Sequence, residues 1–278
     1  MENDLKQLAA LAYDLRAKAL DVLMGAKAGH IGGDMSEMEI LTDLYFNRLK
    51  LSPETTDDPN RDRFVLSKGH SVESYYTVLA CRGYFPYEEL RDTFSRFGSK
   101  YIGHPNNKLP GVEMNSGSLG HGLPVCVGMA LAGKMDEAPY RVYTLMGDGE
   151  LAEGSVWEGA MAAGHYRLDN LCAIVDRNGL QISGTTEEVM GHEPLAERFA
   201  AFGWHVIECD GNDIYAVDKA FDEAEATKGK PSVIIAHTVK GKGSAVMENK
   251  AVWHHKVPSA EEYAQIMADL KAGKEAWV

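Results

Sequence analysis

No stretch of this 278-residue sequence approaches the roughly 20 consecutive apolar residues that a membrane-crossing helix requires. Its first residues, MENDLKQLAALAYDLRAKAL, lack the basic head and apolar run of a secretion signal, so the expected location is the cytoplasm. Cysteine is scarce. Cys81, Cys126, Cys172 and Cys209 are scattered with no CxxC pair, which argues against zinc or a disulfide framework and for free thiols in a reducing compartment. Positive charge is in deficit as well: 28 Lys and Arg stand against 41 Asp and Glu, for a formal charge of -13. A chain short of the residues that supply affinity for phosphate backbones is expected to bind neither nucleic acid nor an anionic membrane surface. A local basic pocket for a small phosphate is compatible with that balance. There is no internal repeat and no low-complexity tract.

Glycine is plentiful, at 28 residues, and much of it stands beside histidine or aspartate. Apolar residues at Leu5, Leu8, Leu11, Ala12, Leu15, Ala19 and Val22 step by threes and fours, predicting an amphipathic helix ended by the glycine-rich AGHIGGD. A second helix is expected from Ser36 to Arg48, with Ser36 and Glu39 at capping-box spacing. A short strand, FVLS, and a helix from Val72 to Cys81 follow. From Arg141 onward, short apolar runs (RVYTLMG, NLCAIVD, WHVIECDG, PSVIIAHT) alternate with helical segments. Continuous apolar strands separated by helices predict an α/β fold, a doubly wound, mostly parallel sheet with helices on both faces. The chain reads as one domain over 1–278, with 245–278 as a C-terminal extension.

In such sheets ligands bind beyond the carboxyl ends of the strands, so chemistry is expected just after each apolar run. Gly147-Asp148-Gly149 follows the first of them: the glycines permit a sharp turn, Asp148 offers a hard oxygen, and a helix N-terminus comes next. Asn178 stands thirty residues further on, at the end of the neighbouring strand. A carboxylate, an amide oxygen and a backbone carbonyl from the next turn suit Mg²⁺ or Ca²⁺, which would bridge to a diphosphate.

The stretch GDGELAEGSVWEGAMAAGHYRLDNLCAIVDRN resembles the thiamine-diphosphate motif, which opens on GDG and closes on Asn. With AGHIGG at 28–33, LSKGH at 66–70, GHP at 103–105, GSLGHG at 117–122, VKGKG at 239–243 and WHHK at 253–256, the chain is similar over nearly its whole length to the amino-terminal half of a transketolase. That resemblance implies thiamine diphosphate as cofactor, with Asp148, Asn178 and the backbone oxygen of Leu180 holding Mg²⁺ or Ca²⁺. It implies diphosphate contacts from Gly149, His70 and His254, approach of Gly117, Ser118 and Leu119 to the aminopyrimidine, and Ile182 under the thiazolium. His30, His104 and His254 would line the substrate channel as catalytic residues. Glu153 and Glu158 would lie near a subunit interface, linked to a glutamate of another domain.

Other residues carry lighter expectations. Lys68, Lys240 and Lys256 would either add positive charge near the diphosphate or be solvated surface lysines. His121 falls where transketolases often carry glutamine and is expected near the cofactor, without a task. His165, His192, His205, His237 and His255 receive none.

The family's second domain carries the glutamate that protonates the aminopyrimidine and much of the sugar-phosphate site, and this chain stops near where the linker to it would begin. The resemblance therefore implies a separate C-terminal subunit, most simply in an α₂β₂ assembly, and transfer of a two-carbon ketol unit from a ketose phosphate to an aldose. Alternatives are a related synthase making 1-deoxyxylulose phosphate or dihydroxyacetone, or a non-catalytic cofactor-binding module.

Overall fold

The computed structural model describes residues 2–278. In chain order the elements are α1 (Glu2–Ala26), α2 (Ile31–Ser36), α3 (Met38–Asp43), β1 (Arg63–Leu66), α4 (Val72–Cys81), α5 (Tyr87–Thr93), α6 (Gly122–Met135), β2 (Val142–Gly147), α7 (Gly154–His165), β3 (Leu171–Arg177), β4 (Leu180–Gln181), β5 (Gly184–Thr185), α8 (Thr186–Met190), α9 (Leu195–Ala201), β6 (His205–Asp210), α10 (Ile214–Ala226), β7 (Ser232–His237) and α11 (Ala260–Glu275). Five strands form one all-parallel sheet in the order β1-β2-β3-β7-β6, and β4 and β5 make a small antiparallel hairpin.

The sheet is wound on both faces because each strand alternates its apolar residues between two cores. Phe64, Leu66, Tyr143, Leu145, Cys172, Ile174, Ile234 and Ala236 point into a core shared with α1, α3, α4 and α10. Val65, Val142, Met146, Ala173, Val175, Val233 and Ile235 point the other way, against α6, α7 and α9. A third, smaller cluster binds the end of the chain back: Met247, Trp253, Ile266 and Leu270 bury against Leu20 and Leu23 of α1 and Ile31 and Met35 of α2. Among the described residues no helix is long and apolar enough to cross a membrane, and all four cysteines are free, Cys126 and Cys172 fully buried.

The helix expected from Ser36 to Arg48 does not form as one piece. Ser36 ends α2 instead of capping a helix, the chain re-enters as α3, and Leu44–Arg48 closes as a π-helical turn. The Ser36 hydroxyl lies 2.7 Å from Asp176 Oδ2 and 3.0 Å from the Gly33 carbonyl. A tertiary partner 140 residues away has outcompeted the local capping box. Likewise Gly32 and Gly33 do not end a helix but lie buried inside α2.

Asp176 also receives Lys68, which sits just past β1. The Lys68 ammonium pairs with Asp176 and, at 2.7 Å, with Glu37 Oε2, and donates to the Gly33 carbonyl at 3.2 Å. All three charged side chains are buried. Burial opposes the charge on Lys68, but Asp176 and Glu37 outweigh it and raise its pKa. Burial likewise opposes ionisation of Asp176, yet the Lys68 charge holds its carboxyl below the ordinary value, whereas Glu37 is pushed up to about 8, chiefly by burial. Removing one partner of a buried ion pair leaves the other uncompensated, at a cost of about 3–5 kcal/mol. Lys68→Met should therefore lower the stability of the chain by about that amount at pH 7 in urea unfolding; an unchanged midpoint would show that the cluster holds nothing together.

Candidate active site

A cavity of about 270 Å³ opens at the carboxyl ends of β1, β2 and β3. Its floor is the turn after β2. Asp148 is buried there; its Oδ1 accepts from Gly149 N at 2.8 Å, and its Oδ2 accepts from Gly179 N at 2.6 Å and from Arg177 Nη1 at 3.4 Å. Burial, followed by the charge of Asp176, raises its pKa against these hydrogen bonds. Arg177 also donates from Nε to Glu193 at 2.7 Å.

Asn178 Nδ2 donates to Asp176 Oδ2 at 3.1 Å, which fixes the amide, and its Oδ1 accepts from Leu180 N at 3.2 Å with a second lone pair to spare. The Leu180 carbonyl accepts from Lys240 Nζ at 3.3 Å. Asp148, Asn178 and Leu180 all line the same cavity, as do Gly149 and Ile182. Among the described residues no three His, Cys, Asp or Glu side chains meet as a metal cluster. The candidate set is thus one carboxylate, one amide oxygen and one carbonyl, hard oxygens that suit Mg²⁺ or Ca²⁺ and leave further positions for diphosphate or water oxygens.

The wall opposite is imidazole. His30 and His70 have ring centroids 5.3 Å apart, His30 and His254 5.6 Å, and His70 and His254 5.3 Å. His255, which carried no expectation, stacks edge-on to His30 at 4.6 Å. Burial, then neighbouring imidazoles and lysines, brings His30 down to about 4 and His254 to about 3, and holds His70 well below its usual value. His254 Nδ1 is buried without a partner among the described residues.

Lys68 and Lys240 are buried and line the cavity, so neither is a surface lysine. Burial, then Lys68, lowers Lys240 to about 8. Lys256 is half-buried: it lies 4.3 Å over the Trp253 ring, pairs with Glu262 and stays outside the cavity.

Not every expected residue reaches the cavity. Gly117 and Leu119 line it, but Ser118 is exposed, with its hydroxyl 3.3 Å from His121 Nδ1. His104 stands one layer out, its ring packed on Gly117 so closely that a Cβ there would fall 2.4 Å from Cδ2. Glu153 and Glu158 are exposed and outside the cavity, so within this chain they make no wall for a cofactor. They lie at or after the start of a helix whose inner face is filled by Val156, Gly159, Ala160 and Ala163.

Three residues carried no individual expectation. Glu150 accepts from Ser67, from Gly120 N at 2.8 Å and from Gly147 N at 3.1 Å, tying β1, the GSLGHG loop and the GDG turn together. Gln181 Nε2 donates to the Gly149 carbonyl at 3.0 Å, while its Oε1 is buried without a partner among the described residues. Asp176 orients Asn178. Its place at a strand end was the only signal for any of them.

The donor set, two buried ammonium groups and two orphaned polar atoms (His254 Nδ1 and Gln181 Oε1) fit a diphosphate carrying a divalent ion, and Leu119 and Ile182 offer apolar contact beside it. Comparison with known proteins agrees. Residues 8–274 match the family described as "Transketolase, thiamine diphosphate binding domain". One of the subunits of the apulose-4-phosphate transketolase of Phocaeicola vulgatus is 50% identical over 255 residues, 92% of this chain and 90% of that one. The "6-deoxy-6-sulfo-D-fructose transketolase subunit SqwG" of Clostridium sp. is 42% identical over 92% of this chain and 94% of its own length. The crystal structure of transketolase from Campylobacter jejuni superposes with a TM-score of 0.89 at 30% identity, covering 99% of this chain but 45% of that one. This chain spans nearly the whole of the first two relatives and under half of the third; it belongs to the transketolase family, as a thiamine diphosphate binding domain.

Proposed function

We propose that this chain is the cofactor- and metal-binding subunit of a two-subunit transketolase, moving a two-carbon ketol unit from a ketose phosphate to an aldose. What carries the reading is one cavity in which Asp148, Asn178 and Leu180 face His30, His70 and His254. Thiamine diphosphate, when bound, supplies the reactive carbon that takes up and releases the ketol unit. Asp148, Asn178 and the Leu180 carbonyl would hold Mg²⁺ or Ca²⁺. Lys68 and Lys240 add positive charge behind the diphosphate, and His70 and Gly149 contact it.

His30 and His254, kept neutral by burial, would each offer a donor or an acceptor nitrogen to sugar hydroxyls and stabilise a developing alkoxide by an N–H hydrogen bond. His104 reaches the substrate from behind Gly117. Gly117 and Leu119, with Ser118 beside them, would contact the aminopyrimidine, and Ile182 would give apolar contact to the thiazolium.

A complementary subunit completes the enzyme. The relatives that this chain matches end to end are themselves named as subunits, and the exposed Glu153 and Glu158 suit contact with such a partner. An α₂β₂ assembly is the simplest arrangement.

Three outcomes follow. Purified by itself, the chain should bind thiamine diphosphate with Mg²⁺ yet transfer no ketol unit, and mixing with the complementary subunit should restore transfer; full activity of the lone chain would refute the two-subunit reading. Asp148→Ala should abolish cofactor retention in equilibrium dialysis, whereas His30→Ala and His254→Ala should retain cofactor and lose about 10²-fold or more in turnover; equal retention by Asp148→Ala and the parent would refute the metal assignment.

The third outcome concerns pH. Because His30 and His254 titrate near 4 and 3 when folded and near 6.5 when unfolded, the unfolded chain binds more protons between these values. Stability of the cofactor-free chain should fall as pH drops from about 6.5 to 4, and less steeply in His30→Asn/His254→Asn. Parallel pH profiles for the two proteins would contradict the buried neutral imidazoles.

A further inference from the structure

Behind the histidine wall lies a pair of carboxyl groups that the cofactor reading does not use. Asp34 of α2 and Glu73 in the first turn of α4 are both buried, at 0% and 1% exposure. Asp34 Oδ1 accepts from Ser74 N at 2.8 Å, and Glu73 Oε1 accepts from His30 N at 3.3 Å. Their other oxygens, Asp34 Oδ2 and Glu73 Oε2, are buried with no donor among the described residues, and the two carboxyls lie within hydrogen-bonding reach of each other. Two ionised carboxylates cannot share a dry contact; a carboxylic acid and a carboxylate can, with the acid proton between them.

The chain is shaped around this pair. Gly29, immediately before His30, has φ 151°, and a Cβ on it would fall 1.9 Å from Glu73 Oε1. The space that a side chain at 29 would need is taken by the Glu73 carboxyl. His30 itself starts α2 with no side-chain cap, so Glu73 holds the one backbone N–H that sets where its imidazole begins.

We propose that Asp34 and Glu73 hold a single proton between them, and that Glu73, by accepting from the His30 backbone, is a positioning residue for that histidine. The first half is independent of the reaction; the second rests on the ketol-transfer reading given above.

The charges that face the pair agree. Burial raises both carboxyls, Asp34 to about 6 and Glu73 well above its ordinary value, and each feels the other. Lys68, from the end of β1, lowers Asp34, and Asp34 in turn raises Glu37 from the α2–α3 junction. Lys68 is the cation that acts on Asp34, and no cation stands among the leading influences on Glu73. Ionisation thus belongs on Asp34, nearer Lys68, with the proton on Glu73.

Glu73→Gln tests the proton directly, since an amide nitrogen donates to Asp34 as the acid would, while its oxygen still accepts from His30. The parent must keep a proton that its unfolded state releases above pH 5, and Glu73→Gln need not. In urea unfolding of the cofactor-free chain, the folding constant of Glu73→Gln relative to the parent should rise between pH 6 and pH 8, by up to about tenfold per pH unit for one retained proton. Glu37, also raised, titrates in both proteins and cancels in the ratio. A ratio independent of pH would overturn the shared proton.

For positioning, Glu73→Leu in the two-subunit enzyme should bind thiamine diphosphate, keep the KM for the ketose donor within a few fold and lower kcat about tenfold or more, because a small displacement of a reacting group is costly. Glu73→Gln should restore most of that loss. Parent-like kcat in Glu73→Leu, or a Gln variant as slow as the Leu variant, would overturn it. If the parent pair of subunits transfers no ketol unit, the function reading falls, and the pH ratio still decides the proton.

Discussion

Everything in the site is referred to one buried cation. Lys68 leaves the end of β1 with its ammonium between Asp176 at the end of β3 and Glu37 at the α2–α3 junction. Through Asp176 it fixes the amide of Asn178, and hence the orientation of that side chain in the cavity. Through the Gly33 carbonyl and Ser36 it fixes α2, which His30 immediately precedes. A buried charge of this kind tolerates little displacement, since each partner that drifts leaves another uncompensated. The half of the cavity lined by Asp148 and Asn178 and the half lined by imidazole are therefore held in register by the same ammonium.

Around that point the fold supplies stiffness. Strand residues alternate between two apolar cores, so β1, β2, β3 and β7 cannot slip by one residue without turning both faces inside out. Their carboxyl ends are held level, and the turns after them can carry unfavourable arrangements, such as a buried Asp148 with a raised pKa, without giving way. The segment carrying Lys240 and His254 has no strand of its own. It is pinned by Trp253 and Met247 against α1 and α2, which makes the third cluster part of the site's support.

How much of this could be read from the residues alone follows physical lines. The strands were legible because a two-faced sheet demands unbroken apolar runs, and the helix Val72–Cys81 formed with the expected bounds. Asp148 and Asn178 stood out because a glycine-flanked turn and a neighbouring strand end leave a recognisable pattern, whereas the histidines were singled out only through the family resemblance. What was not legible depends on distant partners. Ser36 looked like a helix cap because Glu39 follows at the right spacing; Asp176, 140 residues on, decides otherwise. Lys68 and Lys240 could not be told from solvated lysines, while Lys256, in an equally suggestive motif, lies half-buried outside the cavity. Glu150 and Gln181 act through backbone groups of other loops, and no local pattern announces such a contact.

The walls of the cavity are drawn from His30 near the start of the chain, from the strand ends between Lys68 and Ile182, and from Lys240 and His254 near the close. No stretch emerging early from the ribosome contains a site, and the parallel pairings that align the walls join segments far apart in sequence, β1 with β2 and β3 with β7. Non-local pairings of that kind close late, after the cost of large loops has been met. A cofactor arriving during synthesis would find no complete site until the chain had been made past His254, so its capture marks chains in which all these segments have come together and, by binding only those, draws the population toward them.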